Sequence, residues 1–262
     1  MPFTISHTAA VLPFAHFLRR WRLLSAAVIG AMVPDSTVFL FHVLSRDMTH
    51  SKVGLFTFCL PVGLVWYWIF QLHIKPATYE LMPDRLYLAW SKDAPSPSLL
   101  SLRQWAFAAL GVLLGAFTHL VWDAFTHEGA RGVRMLSVFD DLGLTAAGNS
   151  HAWVGVAQHV SSAVGLLFVI GFVWRDVHRA QYHDAPLTRR LTAQQRHRWF
   201  AIYVATAVIV SIGSLLVLTD GRPLQAPPMW MLSSAAIGSL WGLAASLLLV
   251  SGLIRWRLAH PR

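Results

Sequence analysis

The chain has 262 residues, of which 55% are hydrophobic and 13% charged, and its mean hydropathy is +0.52. Soluble domains carry about 25% charged residues, so this composition excludes an ordinary soluble protein and predicts an integral membrane protein. The net charge of +9 does not require a nucleic-acid partner, because Arg and Lys flank the apolar runs as membrane anchors do. The single Cys59 excludes a disulfide framework and a cysteine-based zinc site.

The apolar runs predict an all-α fold, a polytopic transmembrane helical bundle of about seven segments. Ser6–Leu18 is a short helix, and Leu23–Leu44 is a span interrupted by Pro34 and Asp35. Five later runs have the roughly 20 apolar residues that a bilayer crossing needs. These five are about Val53–His73, Gln104–Thr126, Ala152–Trp174, Trp199–Thr219 and Met229–Ile254. Residues 1–262 are therefore predicted to form one integral membrane domain, whose last two spans (199–254) carry no distinctive motif.

The distribution of basic residues predicts the orientation in the membrane. With the first two segments paired as a hairpin, 16 of the 21 Lys and Arg lie on one side and 5 on the other. The positive-inside rule places the richer side in the cytoplasm. This side includes the loop 175–198 and the C-terminus, and the N-terminus faces outward.

A ladder of metal-type side chains occupies the stretch GAFTHLVWDAFTHEG, residues 115–129. His119, Asp123 and His127 are spaced by four residues, so they share one face of a helix. Imidazole nitrogen and carboxylate oxygen suit a divalent metal, with zinc the first expectation and iron or manganese as alternatives. Ionisable residues inside a membrane helix are energetically costly and favour a functional site.

The predicted topology brings further polar residues to the same membrane face. His7, Asp35 and His50 join the ladder, so the candidate metal ligands are His7, Asp35, His50, His119, Asp123 and His127. Zinc usually takes four ligands, so either some of the six support the others or two metals bind. Asp123 and Glu128 are the candidate catalytic groups, with Asp35 as another proton acceptor. Three residues are expected to support the ligands or bind substrate: Ser51, Gln158 and His159.

Other interpretations of these residues remain open. The cluster could be a hydrogen-bonded packing network, or an ion or proton site in a protein that is not an enzyme. Asp35 could cap the helix that resumes after Pro34, and Ser51 could cap the helix that follows it. Polar residues do not continue through the last two spans, which favours a site near one face over a path across the bilayer.

Five motifs carry a resemblance to a known bacterial family. They are MPFTISHTAAVLP, VIGAMVPD, HSKVGLFTFCLPVGL, THLVWDAFTHEG and QHVSSAVG, and together they extend over residues 1–172. In this order they resemble domain of unknown function 4184 (DUF4184), which implies a bacterial inner-membrane protein of unknown reaction.

A more distant similarity concerns membrane-bound metal-dependent hydrolases of the inner membrane. It implicates His7, Asp35, His50, His119 and Asp123, although the His-Arg-Gly element that precedes Thr-His-Ser there is missing here. The resemblance implies a metal-dependent hydrolase, and the location in the bilayer suggests a lipid or lipid-linked ester or phosphoester as substrate.

Overall fold

A computed structural model describes residues 4–40, 45–90, 101–127, 130–135, 152–179, 191–225 and 227–260. Within these residues every regular element is helical, which confirms the all-α prediction. Short 3-10 helices cover Thr4–Ala10, Leu12–Phe14, Val33–Leu40 and Pro223–Gln225. The other helices are α1 (Ala15–Arg20), α2 (Leu24–Gly30), α3 (Arg46–Thr49), α4 (Lys52–Leu81), α5 (Asp84–Trp90), α6 (Leu102–Thr126), α7 (Arg131–Met135), α8 (Ala152–Arg179), α9 (Ala193–Leu218) and α10 (Pro228–Ala259).

Five of these helices, α4, α6, α8, α9 and α10, are long and apolar enough to cross a membrane. Many of their large apolar side chains are exposed, as expected where lipid is the solvent. The chain is thus a multi-pass membrane protein. The first two predicted segments are less regular than expected, since each is divided into short helices. Residues 41–44, which the second segment was predicted to include, lie outside the described part.

Helix α4 contains two turns of π-helix, at Leu55–Cys59 and Phe70–Ile74. Each π turn lies just before a proline, Pro61 or Pro76. Proline has no backbone N–H and its ring clashes with the carbonyl four residues earlier, so a wider turn relieves the conflict without ending the helix.

The described residues fall into two compact units. The first contains Met1–Tyr67 and Ser98–Arg175, and its centre is a close crossing of α2 and α6. A Cβ at Gly115 of α6 would overlap the backbone of Ala27 and would lie 2.6 Å from the nitrogen of Ala31. Only glycine permits this approach, so the packing fixes α6 against the end of α2.

The second unit contains Trp68–Pro97 and Asp176–Arg262, and is built on a long hairpin of α9 and α10. Gly242 of α10 lies against Ala207 and Ser211 of α9, again without room for a side chain. The Glu80 carboxylate accepts a hydrogen bond from the backbone of Leu191 at 3.2 Å. Whether the two units act as the one predicted domain stays a prediction.

Candidate metal centre

The face of α6 that carries the ladder begins with glycine. Gly111, Gly115, His119 and Asp123 recur every four residues, and all four are buried. The two glycines admit α2, and the ionisable residues follow one and two turns later, beyond the closest part of the crossing. The same periodicity therefore sets both the helix packing and the position of the polar side chains.

His119 is fixed by the end of α2. Its side chain is 0% exposed, and its Nδ1 lies 2.7 Å from the carbonyl oxygen of Ala31. A carbonyl can only accept, so Nδ1 carries the proton and Nε2 of the neutral ring keeps its lone pair. Nε2 lies 3.6 Å from Oδ1 of Asp35 and 3.4 Å from Oδ2 of Asp123. Histidines that bind metals are oriented in the same way, through the nitrogen that does not bind.

His50 approaches the same two carboxylates from the end of α3. Ser45 caps this short helix by accepting a hydrogen bond from the Met48 backbone, and His50 follows its last residue. The Nδ1 atom of His50 lies 3.2 Å from the Arg46 carbonyl oxygen, while Nε2 lies 3.4 Å from Asp35 Oδ1 and 3.3 Å from Asp123 Oδ2. Burial lowers the pKa of His50, but the carboxylates of Asp123 and Asp35 outweigh burial and raise this pKa above its ordinary value.

Asp35 lies in the 3-10 helix that follows α2. Its Oδ2 accepts a hydrogen bond from the Thr4 hydroxyl at 3.1 Å, which leaves Oδ1 directed at His50 and His119. The break at Pro34 thus turns a carboxylate toward the ladder. The contacts of Asp35 are with side chains of three other segments, as a ligand or an orienting group requires.

Four ligand atoms converge in this cluster. The side chains of Asp35, His50, His119 and Asp123 each offer one atom, and these atoms lie within 4.8 Å of one another. The four nitrogen–oxygen distances are 3.3–3.6 Å, whereas charge-assisted hydrogen bonds measure about 2.7–2.9 Å. In a tetrahedral zinc site with bonds of about 2.0–2.1 Å, neighbouring ligand atoms are about 3.3–3.4 Å apart.

Unsatisfied atoms in the same cluster agree with this geometry. Among the described residues, Nε2 of His50 and Nε2 of His119 are buried and have no hydrogen-bond partner. Buried polar atoms are rarely left without one. The donor set and its spacing therefore fit a divalent metal ion better than they fit a hydrogen-bonded network.

The two remaining candidate ligands, His7 and His127, contact the other carboxylate oxygen of Asp123. Nε2 of His7 is 3.6 Å from Asp123 Oδ1, and Nδ1 of His127 is 3.2 Å from it. The His7 ring also stacks on that of His119, with centroids 3.9 Å apart. The four histidines among the six sequence-predicted ligands contact Asp123, and Asp35 joins them through His50 and His119. Asp35, His50, His119 and Asp123 form the group whose ligand atoms converge.

The residues predicted to support the site have different positions. Gln158 reaches the cluster through Nε2 of His127 at 3.2 Å. Ser51 caps the start of α4 by accepting from the Gly54 backbone, which is the alternative that its sequence position left open. His159 is exposed on α8, and no contact within the described part of the chain joins it to the cluster. Glu128 lies outside the described residues.

Arg46 is a member of the site that the sequence did not indicate. Its guanidinium lies 2.6 Å from Asp123 Oδ2, one of the four converging atoms. In the sequence it counted only as one basic residue in a loop. A signal was present, since Arg46 precedes His50 by four residues and one helical turn places them on the same side.

Comparisons with known proteins give the family and no reaction. The family described as domain of unknown function (DUF4184) matches residues 1–252, nearly the whole chain. No curated protein and no solved structure matches. The match extends past the five motifs into the last two spans, so the protein is a member of the DUF4184 family.

Proposed function

We propose that this protein is a metal-dependent hydrolase of the bacterial inner membrane, with one divalent metal, zinc first, held by Asp35, His50, His119 and Asp123. The observation that carries the proposal is the convergence of four ligand atoms within 4.8 Å of one another, with nitrogen–oxygen separations of 3.3–3.6 Å. In this position a metal ion would polarise an ester or phosphoester and lower the pKa of water toward about 7.

The chain's own residues then have separate tasks. The carbonyls of Ala31 and Arg46 hold His119 and His50 with Nε2 directed at the carboxylates. His7 and His127 flank Asp123 Oδ1 and orient this side chain. His50 and His119 contact Oδ2, which leaves Oδ1 as the atom that we assign to accept a proton from water.

A packing network is the main alternative, and the distances argue against it. Such a network stabilises a bundle by satisfying its polar groups, with nitrogen–oxygen distances of about 2.7–3.2 Å. Here the four contacts are longer, and Nε2 of His50 and Nε2 of His119 have no hydrogen-bond partner in the described part of the chain. An ion or proton site without hydrolysis would use the same cluster, so only a test of turnover separates it from an enzyme.

The location of the site suggests the substrate. The cluster lies at the end of a membrane-length helix. From the bias of basic residues we infer that this end faces outward, where a site would meet the lipid headgroup region. We therefore propose a lipid or lipid-linked ester or phosphoester as substrate, with the N-terminus outward and the C-terminus in the cytoplasm.

Elemental analysis of protein purified without chelators tests the metal site. Wild type is expected to hold about one transition-metal ion per chain, and His119→Ala almost none. His16→Ala is the matched control, because His16 is exposed on α1 and its loss should leave the metal content unchanged. Wild-type protein that contains no stoichiometric transition metal would contradict the proposal.

Turnover is tested separately, in proteoliposomes made from bacterial lipid extract. Mass spectrometry should detect metal-dependent release of headgroups or acyl chains by wild type and not by His119→Ala. Full metal occupancy with no product from the lipid extract would leave a metal-binding membrane protein and reject hydrolysis of these lipids.

A further inference from the structure

Arg46 presents an unusual combination of contact and exposure. Its guanidinium makes the shortest contact in the cluster, 2.6 Å to Asp123 Oδ2, yet 45% of its side chain is exposed. Asp123 itself is 6% exposed. The arginine therefore lies between the buried ligands and the outside of the protein.

Arg46 and a metal ion need the same oxygen. Oδ2 of Asp123 is the atom that faces both His50 and His119, and it is also the atom that the guanidinium contacts. A metal bound to Oδ2 takes one of its two lone pairs, and the like charges of the metal and the guanidinium repel each other. Metal binding therefore weakens the contact of Arg46 with Oδ2 and favours an anion as its partner.

The guanidinium has room to move away from Oδ2 without disturbing the ligands. The backbone carbonyl of Arg46 orients His50, whereas the half-exposed side chain can turn independently of it. The charges of the site favour an anion as the next partner of the guanidinium. A divalent metal neutralises the carboxylates of Asp35 and Asp123, so the charge of Arg46 makes the site positive by one beside the metal.

We propose that Arg46 is the anion-binding residue of this site: it yields Asp123 Oδ2 to the metal and then holds a phosphate or phosphoester oxyanion beside it. The inference rests on the proposed metal site and narrows its substrate class to anionic phosphorus compounds. Guanidinium suits this role, because its planar donors bind phosphate oxygens in pairs and stay charged at any physiological pH.

The test compares Arg46→Gln with Lys52→Gln in protein loaded with Co²⁺, whose visible spectrum reports its ligands. Lys52 is an exposed cation of the same region. Arg46→Gln should bind Co²⁺ as tightly as wild type or several-fold more tightly, because a competitor for Oδ2 is gone. Inorganic phosphate should change the wild-type spectrum, and its affinity should fall about tenfold or more in Arg46→Gln only.

A second titration identifies the source of the phosphate group. A short-chain phosphatidic acid that binds at least about tenfold more tightly than inorganic phosphate indicates a lipid headgroup, and equal affinities indicate free phosphate. Either result supports the role of Arg46, provided that Arg46→Gln has a lower affinity than wild type for the compound that binds.

Three results would overturn the inference, and they are distinguishable. Loss of Co²⁺ from Arg46→Gln would make the arginine a structural partner of Asp123. Phosphate affinity unchanged in Arg46→Gln would remove its role in binding anions and leave the metal site intact. Wild type that binds no Co²⁺ would reject the metal site and, with it, the exchange at Oδ2.

Discussion

Helices α6 and α9 have nearly the same length, 25 and 26 residues, and both are apolar enough to cross a membrane. They differ in what they bury. On α6 one face carries two glycines followed by His119 and Asp123, whereas the buried residues of α9 are Ala207 and Ser214. Hydropathy alone does not distinguish these helices. The four-residue recurrence of glycine and then of ionisable groups is what marks α6 as the helix that organises a site.

The largest difference between the two helices should appear on removing their buried polar groups. Asp123→Asn keeps the shape of the side chain but replaces a charged ligand by an amide, so metal affinity should fall by about 100-fold or more. Ser214→Ala on α9 should leave affinity unchanged. Isothermal titration of both variants with zinc measures the effect. Wild-type affinity in Asp123→Asn would show that the carboxylate is not a ligand.

Glycine substitutions should separate the helices by stability. A Cβ at Gly115 of α6 meets the backbone of α2, whereas a Cβ at Gly213 of α9 meets no described atom within 4 Å. Gly115→Ala should destabilise the protein by about 1–3 kcal/mol through overpacking. Gly213→Ala should be neutral or stabilising by up to about 1 kcal/mol, because alanine favours the helix.

Unfolding midpoints in detergent compare the two glycine variants. Gly115→Ala should also weaken metal binding, because the shift of α2 moves the Ala31 carbonyl that orients His119. Equal midpoints for Gly115→Ala and Gly213→Ala would contradict the close crossing of α2 and α6.

The smallest effect should come from the end of the ladder. His127 contacts the far oxygen of Asp123, so His127→Gln should lower metal affinity by about 10-fold. His159→Gln is the matched control, since this histidine is exposed on the neighbouring α8. Competition with a chromogenic chelator resolves a difference of this size. A loss as large as that of Asp123→Asn would instead make His127 a direct ligand.

The sequence could predict much of the site because two independent patterns agree there. The spacing of His119, Asp123 and His127 defines one helix face, and the charge bias brings His7 and Asp35 to the same end. The structure brings these residues together. Which histidines contact which oxygen of Asp123 was not predictable, because these contacts depend on side-chain rotamers.

Other features needed the folded chain. The acceptor for His119 is a backbone carbonyl, which any residue at position 31 supplies, so the sequence gives no sign of this hydrogen bond. Arg46 resembles any basic residue of a loop until its partner is known. The 3-10 helix at Val33–Leu40 and the π turns of α4 follow from prolines and packing rather than from helix propensity.

The hydrogen bond from His119 to the Ala31 carbonyl has a consequence for redesign of the proposed metal site. Because the acceptor belongs to the backbone, a mutation at position 31 cannot delete it and can only displace it. The orientation of the imidazole is therefore adjusted through the separation of α2 and α6, which depends on the close approach of the Ala26 methyl group to Gly111. Metal preference in such a site can be tuned from the bundle interior, with every ligand left in place.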